Sequence, residues 1–112
     1  MPSVASSGTQ VAVISTEHTL LTLNTAGIFE FVVDCNAMVN GDELELRITQ
    51  RALAAGTNRL LFIAHYAHVQ ATPLKKSIPI VVPTTSFTTV FTLKQTAGTG
   101  RSFDWSVNRL DA

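Results

Sequence analysis

Apolar and polar residues alternate along much of this chain, which is the pattern of β-strands that bury one face. The alternation is clearest from Leu44 to Ile48, and it recurs in Ile28 to Cys35, Phe87 to Lys94 and Ser102 to Asn108. Turn-forming residues separate these segments, and the sequence has no amphipathic helix of ordinary length. The pattern therefore predicts an all-β protein.

Seven or eight short strands, with turn signals about every 8–12 residues, predict an antiparallel β-sandwich. A jelly roll is the preferred topology because a closed two-sheet roll leaves few open edges, and an immunoglobulin-like Greek key is the alternative. Residues 1–9 are small, polar and turn-prone, so they have little apolar surface to offset the entropy of ordering. We expect a flexible N-terminal arm at residues 1–9, or simply a frayed terminus, and one sandwich domain at residues 10–112.

The stretch from Leu60 to Val69 carries apolar side chains at both odd and even positions. A strand of this kind needs a cover on each face. The protein's own core supplies one cover, and a second sheet layer, a folded-back arm or a neighbouring subunit supplies the other. This stretch, read as a central strand, therefore predicts a homodimer or a homotrimer.

The segment from Gln70 to Pro83 contains three of the four prolines and the pair Lys75-Lys76. Proline cannot donate a hydrogen bond to a neighbouring strand, and lysines protect exposed strand edges. The segment is therefore predicted to be an edge strand or an extended crossover.

Charge and cysteine content exclude several classes of function. The formal net charge is zero, charged residues make up 14% of the chain, and fifteen residues are threonine. Binding to nucleic acid or to an anionic membrane requires a basic excess, so neither partner is expected. Cys35 is the only cysteine and shares its strand face with apolar residues, which predicts a buried, unreactive thiol.

No group of residues has the spacing of a catalytic, cofactor or metal site. His65 and His68 lie three apart on one strand, so their rings point to opposite faces. Glu43 and Glu45 share a face, but Arg47 beside them indicates a solvated row of ion pairs. The sequence from Gly98 to Gly100 is read as a hairpin turn in which one glycine takes a positive φ. An enzyme, a cofactor and a metal are therefore not expected.

Three groups of residues resemble a known class of protein. They are Gly41-Asp42-Glu43-Leu44-Glu45-Leu46-Arg47, the run from Thr92 to Phe103 with its Gly98-Thr99-Gly100 turn, and Trp105. Together they resemble small β-rich virion proteins of tailed bacteriophages, and the nearest described group is the jelly-roll cement or decoration proteins of phage heads. The similarity extends from about residue 17 to residue 110.

The resemblance implies a non-enzymatic structural protein of the virion that lies on the capsid surface, binds the major capsid protein and is assembled in the bacterial host cytoplasm. The alternative is a tail or host-recognition module that stacks sugars on Tyr66 and Trp105, although Trp105 shares its parity with core residues. The residues predicted to contact a partner are Pro2, Ser3, Val4, Tyr66, His68, Ile78, Ile80 and Val82.

Overall fold

Two antiparallel sheets pack face to face as a β-sandwich in the computed structural model, which describes residues 2–111. The prediction of an all-β sandwich is confirmed. In chain order the strands are β1 Ser3–Val11, β2 Glu17–Leu23, β3 Gly27–Asp34, β4 Glu43–Gln50, β5 Arg59–Ala67, β6 Leu74–Lys76, β7 Ile80–Val82, β8 Thr89–Ala97 and β9 Ser102–Arg109. Met1 of the predicted arm and Ala112 of the predicted domain lie outside the described residues.

The chain crosses repeatedly between the two sheets. Sheet I has the order β1-β9-β3-β6, and β7 pairs with β3 further along the same edge. Sheet II has the order β2-β8-β4-β5. The last two strands, β8 and β9, therefore occupy inner positions, while β1, β2, β5 and the β6–β7 pair form the edges.

The core lies between the sheets and is filled by the inward residues of the alternating segments. Phe29, Phe31 and Val33 on β3 face Leu44, Leu46 and Ile48 on β4, and all six are buried. Across the two layers, the rings of Phe31 and Phe91 meet edge to face, with centroids 5.5 Å apart and an angle of 63°. Burying each such side chain contributes about 1.5–3 kcal/mol to stability.

The predicted flexible arm is a strand in the structure, which corrects both the arm and its boundary at residue 9. Residues Ser3–Val11 form β1 and pair antiparallel with β9, with one register irregularity between Val4 and Ser6. The sequence signal failed because both faces of β1 are largely exposed, so its residues show no apolar alternation. Its ordering comes from the backbone hydrogen bonds that β9 offers.

The structure confirms the predicted edge strand but not the predicted central strand. The proline-rich segment forms β6 and β7, two strands of three residues each at the edge of sheet I, which confirms the edge prediction. The stretch from Leu60 to Val69 is not central, because β5 is the outermost strand of sheet II. Its second apolar face is therefore exposed instead of being covered by another layer of the chain.

Candidate partner-binding surface

The residues predicted to contact a partner do not form one surface. Pro2, Ser3 and Val4 lie at one edge of sheet I, with Val4 63% exposed, and they line a shallow cleft of about 350 Å³. Ile78 is also exposed, but it lies between β6 and β7 at the opposite edge of that sheet. All four residues are exposed and could contact a partner. Because they lie at opposite edges of sheet I, a single small partner could not contact all of them.

Ile80 and Val82 are buried in the core, which corrects their assignment to the partner surface. Their side chains are 2% and 1% exposed, whereas Val81 between them is 58% exposed. Ile78 has the same parity as Ile80 and Val82, but it lies in the connection before Pro79, where strand alternation does not apply. The outward residue of this edge is therefore Val81.

Tyr66 belongs mainly to the core. Its half-buried ring packs against the core, and the Lys75 amine lies 5.1 Å from the ring centroid. This cation–π contact joins β5 of sheet II to β6 of sheet I and closes that side of the sandwich. Burial, together with the nearby Cys35 thiol, raises the pKa of the Tyr66 hydroxyl.

His68 stabilises a turn and is exposed. Its backbone adopts a left-handed conformation with φ of 66°, and its N–H donates to the carbonyl of Asp42 over 2.8 Å. Nδ1 of the ring accepts a hydrogen bond from the N–H of Gly41 at 2.9 Å. These bonds fix the Asn40-Gly41 turn, so the ring of His68 has a structural role beside any contact with a partner.

A cleft lies beside the start of β5, among residues that were not predicted to bind a partner. It has a volume of about 410 Å³ and is lined by Gln50, Arg51, Ala52, Leu53, Gly56, Thr57, Arg59, Leu60 and Leu61. Leu53 is 68% exposed, and Leu60, Leu61 and Ile63 are 50%, 47% and 39% exposed. We call these four residues the β5 apolar patch. The sequence indicated this patch through the apolar residues on both faces of β5, but it did not show that β5 lies at the edge of a sheet.

The outer face of sheet II carries a row of ion pairs that includes Glu45 and Arg47, but the predicted solvated row is only partly correct, because Glu45 is buried and Glu43 is not part of the row. Glu45 pairs with Arg47 on its own strand, and Arg47 also lies 3.8 Å from Glu17 of β2. The row continues to His65 of β5, whose ring lies 3.6 Å from Glu45. Glu45 itself is almost completely covered by these neighbours.

A buried polar cluster ties the loop before β4 to the turn between β8 and β9. One oxygen of Asp42 accepts from the N–H of Val39 and from Nε of Arg101, at 3.0 and 2.8 Å, and the other accepts from the N–H of Thr99. Burial acts to raise the pKa of Asp42, but these hydrogen bonds and the Arg101 charge outweigh it and hold that pKa below its usual range. Gly98 takes the predicted positive φ, at 90°, but the predicted hairpin is wrong, because β8 and β9 belong to different sheets and do not pair.

Metal-ligating side chains are dispersed. No group of three histidine, cysteine, aspartate or glutamate side chains within residues 2–111 is close enough to hold a metal ion. His18 instead accepts a hydrogen bond from the N–H of Val13 at 3.0 Å and braces the loop between β1 and β2. Over the same residues, no helix is long and apolar enough to cross a membrane.

The aromatic residues considered for sugar stacking are not free. Trp105 is half-buried and packs against the core, with Gly8 of β1 beside its ring. Tyr66 is covered in part by Lys75. Stacking on a sugar ring needs an accessible aromatic face. These two side chains therefore give little support to the carbohydrate-binding alternative.

Cys35 is expected to be unreactive in the folded protein. Its side chain is fully buried, and burial raises the pKa of the thiol to about 11. Only the thiolate reacts, so a disulfide reagent at pH 8 should modify the native protein at least about a hundredfold more slowly than the protein unfolded in guanidinium. Fast modification of the native protein would contradict the buried placement.

Comparison with known proteins returned no relatives. The chain matches no protein-family model, no curated protein and no solved structure. The arguments for its function therefore come from its own residues and geometry.

Proposed function

We propose that this protein is a non-enzymatic structural protein of a bacteriophage particle, specifically a capsid cement or decoration protein. It binds the major capsid protein on the outside of the head and stabilises the shell, after synthesis in the bacterial cytoplasm. The resemblance in the turn and strand residues described above supports this proposal. The structure adds a surface suited to repeated protein contact.

The observation that carries the proposal is the amount of apolar side chain left outside the core. Among residues 2–111, thirteen large apolar residues are exposed and sixteen apolar residues are buried. Isolated exposed residues are normal, but contiguous apolar patches rimmed by polar groups mark interaction sites. Three residues of the β5 apolar patch, Leu53, Leu60 and Leu61, line one cleft, and Val4 and Ile78 add apolar surface at both edges of sheet I. A partner that touches several sides of the domain fits this distribution.

The strand order supports a jelly roll as the finer description of the sandwich. Sheet I reads first, ninth, third and then the sixth and seventh strands, which share one edge position, and sheet II reads second, eighth, fourth and fifth. When β6 and β7 are counted as one interrupted strand, most pairs of consecutive strands lie in different sheets, as in two interleaved Greek keys. Viral capsid domains and lectins use this architecture.

Small proteins of this kind stabilise a shell by adding contacts across the joints between capsid subunits. Each contact is weak, but a molecule held at two or more points rebinds at high effective concentration before it diffuses away. A protein with zero net charge suits this task, because its association with the capsid would depend little on electrostatic attraction and therefore on salt concentration. Exposed apolar residues on several sides of the sandwich allow such multivalent attachment.

Quantitative mass spectrometry of purified phage particles tests the proposal. The protein is expected in on the order of hundreds of copies per particle, and in separated heads rather than tails, because cement contacts repeat over the lattice. Heads lacking the protein should break at a lower temperature, and adding the purified protein back should restore their resistance. A few dozen copies or fewer, or recovery with the tails, would overturn the cement role.

A further inference from the structure

We propose that two copies of this protein associate through β5, whose free edge pairs antiparallel with β5 of the second copy across a two-fold axis. The four strands of sheet II would then continue into the four strands of its counterpart. This inference does not depend on the capsid role, because it concerns the isolated protein in solution. It names the surface that the proposed homo-oligomer uses.

The first argument is that β5 lacks most of the features that protect the β6–β7 edge of sheet I from pairing with another strand. There, β6 and β7 have three residues each, Pro79 lies between them, and Lys75-Lys76 lie on β6. β5 has nine residues, with no proline, lysine, aspartate or glutamate. Its only register irregularity lies at its start, and residues 62–67 run in unbroken register with β4. A long edge without such devices is a template for pairing with another strand.

The second argument is the apolar face beside that edge. Leu60, Leu61 and Ile63 are each between 39% and 50% exposed on β5 itself. With the two-fold axis at Ile63, the Ile63 side chains of the two copies meet each other, and Leu60 and Leu61 of each copy lie opposite Tyr66 and His65 of the other.

The third argument is charge, which favours a second copy over an unrelated strand. Arg59 lies at one end of β5, and Glu43 of β4 lies beside the other end, where it pairs in register with Ala67. No ion pair engages either side chain in the described part of the chain. A two-fold antiparallel arrangement places Arg59 of each copy opposite Ala67 of the other, with Glu43 one strand further in, so oppositely charged ends come together at both ends of the interface.

Sedimentation velocity of the full chain and of two lysine variants tests the edge. The wild-type protein is expected to sediment as a dimer at micromolar concentration. Ile63→Lys should raise the dissociation constant at least about tenfold, because it places a charge in the middle of the pairing edge. Val81→Lys is the matched control, since Val81 is equally outward-facing on β7 and should leave the dimer intact. Circular dichroism and thermal melting must show that both variants fold.

A charge exchange tests the two-fold arrangement without touching the apolar patch. Arg59→Glu and Glu43→Arg should each weaken the dimer, and the double variant should restore the wild-type dissociation constant to within about threefold. A monomeric wild-type protein would overturn the proposal, and so would an Ile63→Lys variant that remains dimeric. Single charge variants that fold but dimerise as tightly as wild type, or a double variant no better than the singles, would overturn the antiparallel two-fold pairing.

Discussion

Replacing Asp42 by alanine is expected to lower the free energy of unfolding by about 3 kcal/mol, a large fraction of the stability of a small domain. The carboxylate is 1% exposed and accepts from two backbone N–H groups and from Arg101. Its removal leaves these donors without the nearly fully buried carboxylate that they share. Urea unfolding followed by circular dichroism measures the loss.

The same residue should make stability depend on acid. Because the pKa of Asp42 is lowered in the folded state, the ionised form contributes its full stability above the unfolded pKa of about 3.9. That contribution is lost as the pH falls through the lower folded value. Asp42→Asn should therefore be less stable at pH 7 and show a shallower fall in unfolding free energy between about pH 5 and pH 2.

The exposed Asp104 provides the control for this prediction. It accepts a hydrogen bond from the hydroxyl of Thr9 at the surface, where its loss costs little. Asp104→Asn is expected to change the free energy of unfolding by no more than about 0.5 kcal/mol. If Asp42→Ala were no more costly than Asp104→Asn, the buried cluster would have no part in stability.

Replacing Gly98 by alanine is expected to cost about 3 kcal/mol or more, because two penalties act together. The residue has a φ of +90°, which side chains disfavour, and an added Cβ would collide with Oδ1 of Asp42 and lie 2.8 Å from its Cα. The Cα belongs to the backbone and cannot rotate away. The turn must therefore shift, which also disturbs the hydrogen bond from Thr99 to Asp42.

Gly41→Ala separates the two penalties. Gly41 has a similar φ of +100°, but no atom lies within 4 Å of the position an added Cβ would take. Only the conformational cost of about 1 kcal/mol remains. Urea unfolding of both variants should show a clearly larger loss for Gly98→Ala, and equal losses would mean that the turn moves freely away from Asp42.

Local alternation predicted the parts of the fold in which one face of a strand is buried. Phe29, Phe31 and Val33 point inward as their spacing required, and Cys35 lies in the core for the same reason. The pattern works there because a strand turns alternate side chains to opposite faces whatever its neighbours are. The prediction of a proline-rich edge succeeded because proline removes a backbone donor.

The remaining features depend on which strands become neighbours, and spacing does not contain that information. Nothing local distinguishes β5 at an edge from β5 between two strands, so its exposed face was attributed to a central strand. β1 is ordered by pairing with β9, which lies about ninety residues away in the chain. The parity of Ile80 and Val82 could place them on either face, and the pairing of β7 with β3 turned them inward.

The candidate surface was likewise predicted only in part from the sequence. The sequence singled out β5 as unusual, but Leu53 reaches the β5 apolar patch from a loop that had no strand pattern to place it. Arg59 and Glu43 became notable only once the register of β4 with β5 put them at opposite ends of one edge.

The inner positions of β8 and β9 impose an order on folding during synthesis. On the ribosome, β1 to β7 emerge first, yet β2 has no bond to β4 without β8, and β1 has none to β3 without β9. Neither sheet can therefore be completed until these last two strands have left the exit tunnel. A nascent chain stalled before Thr89 leaves β1 and β2 without a partner strand and one edge each of β3 and β4 unpaired, and such edges are substrates for chaperones or for aggregation.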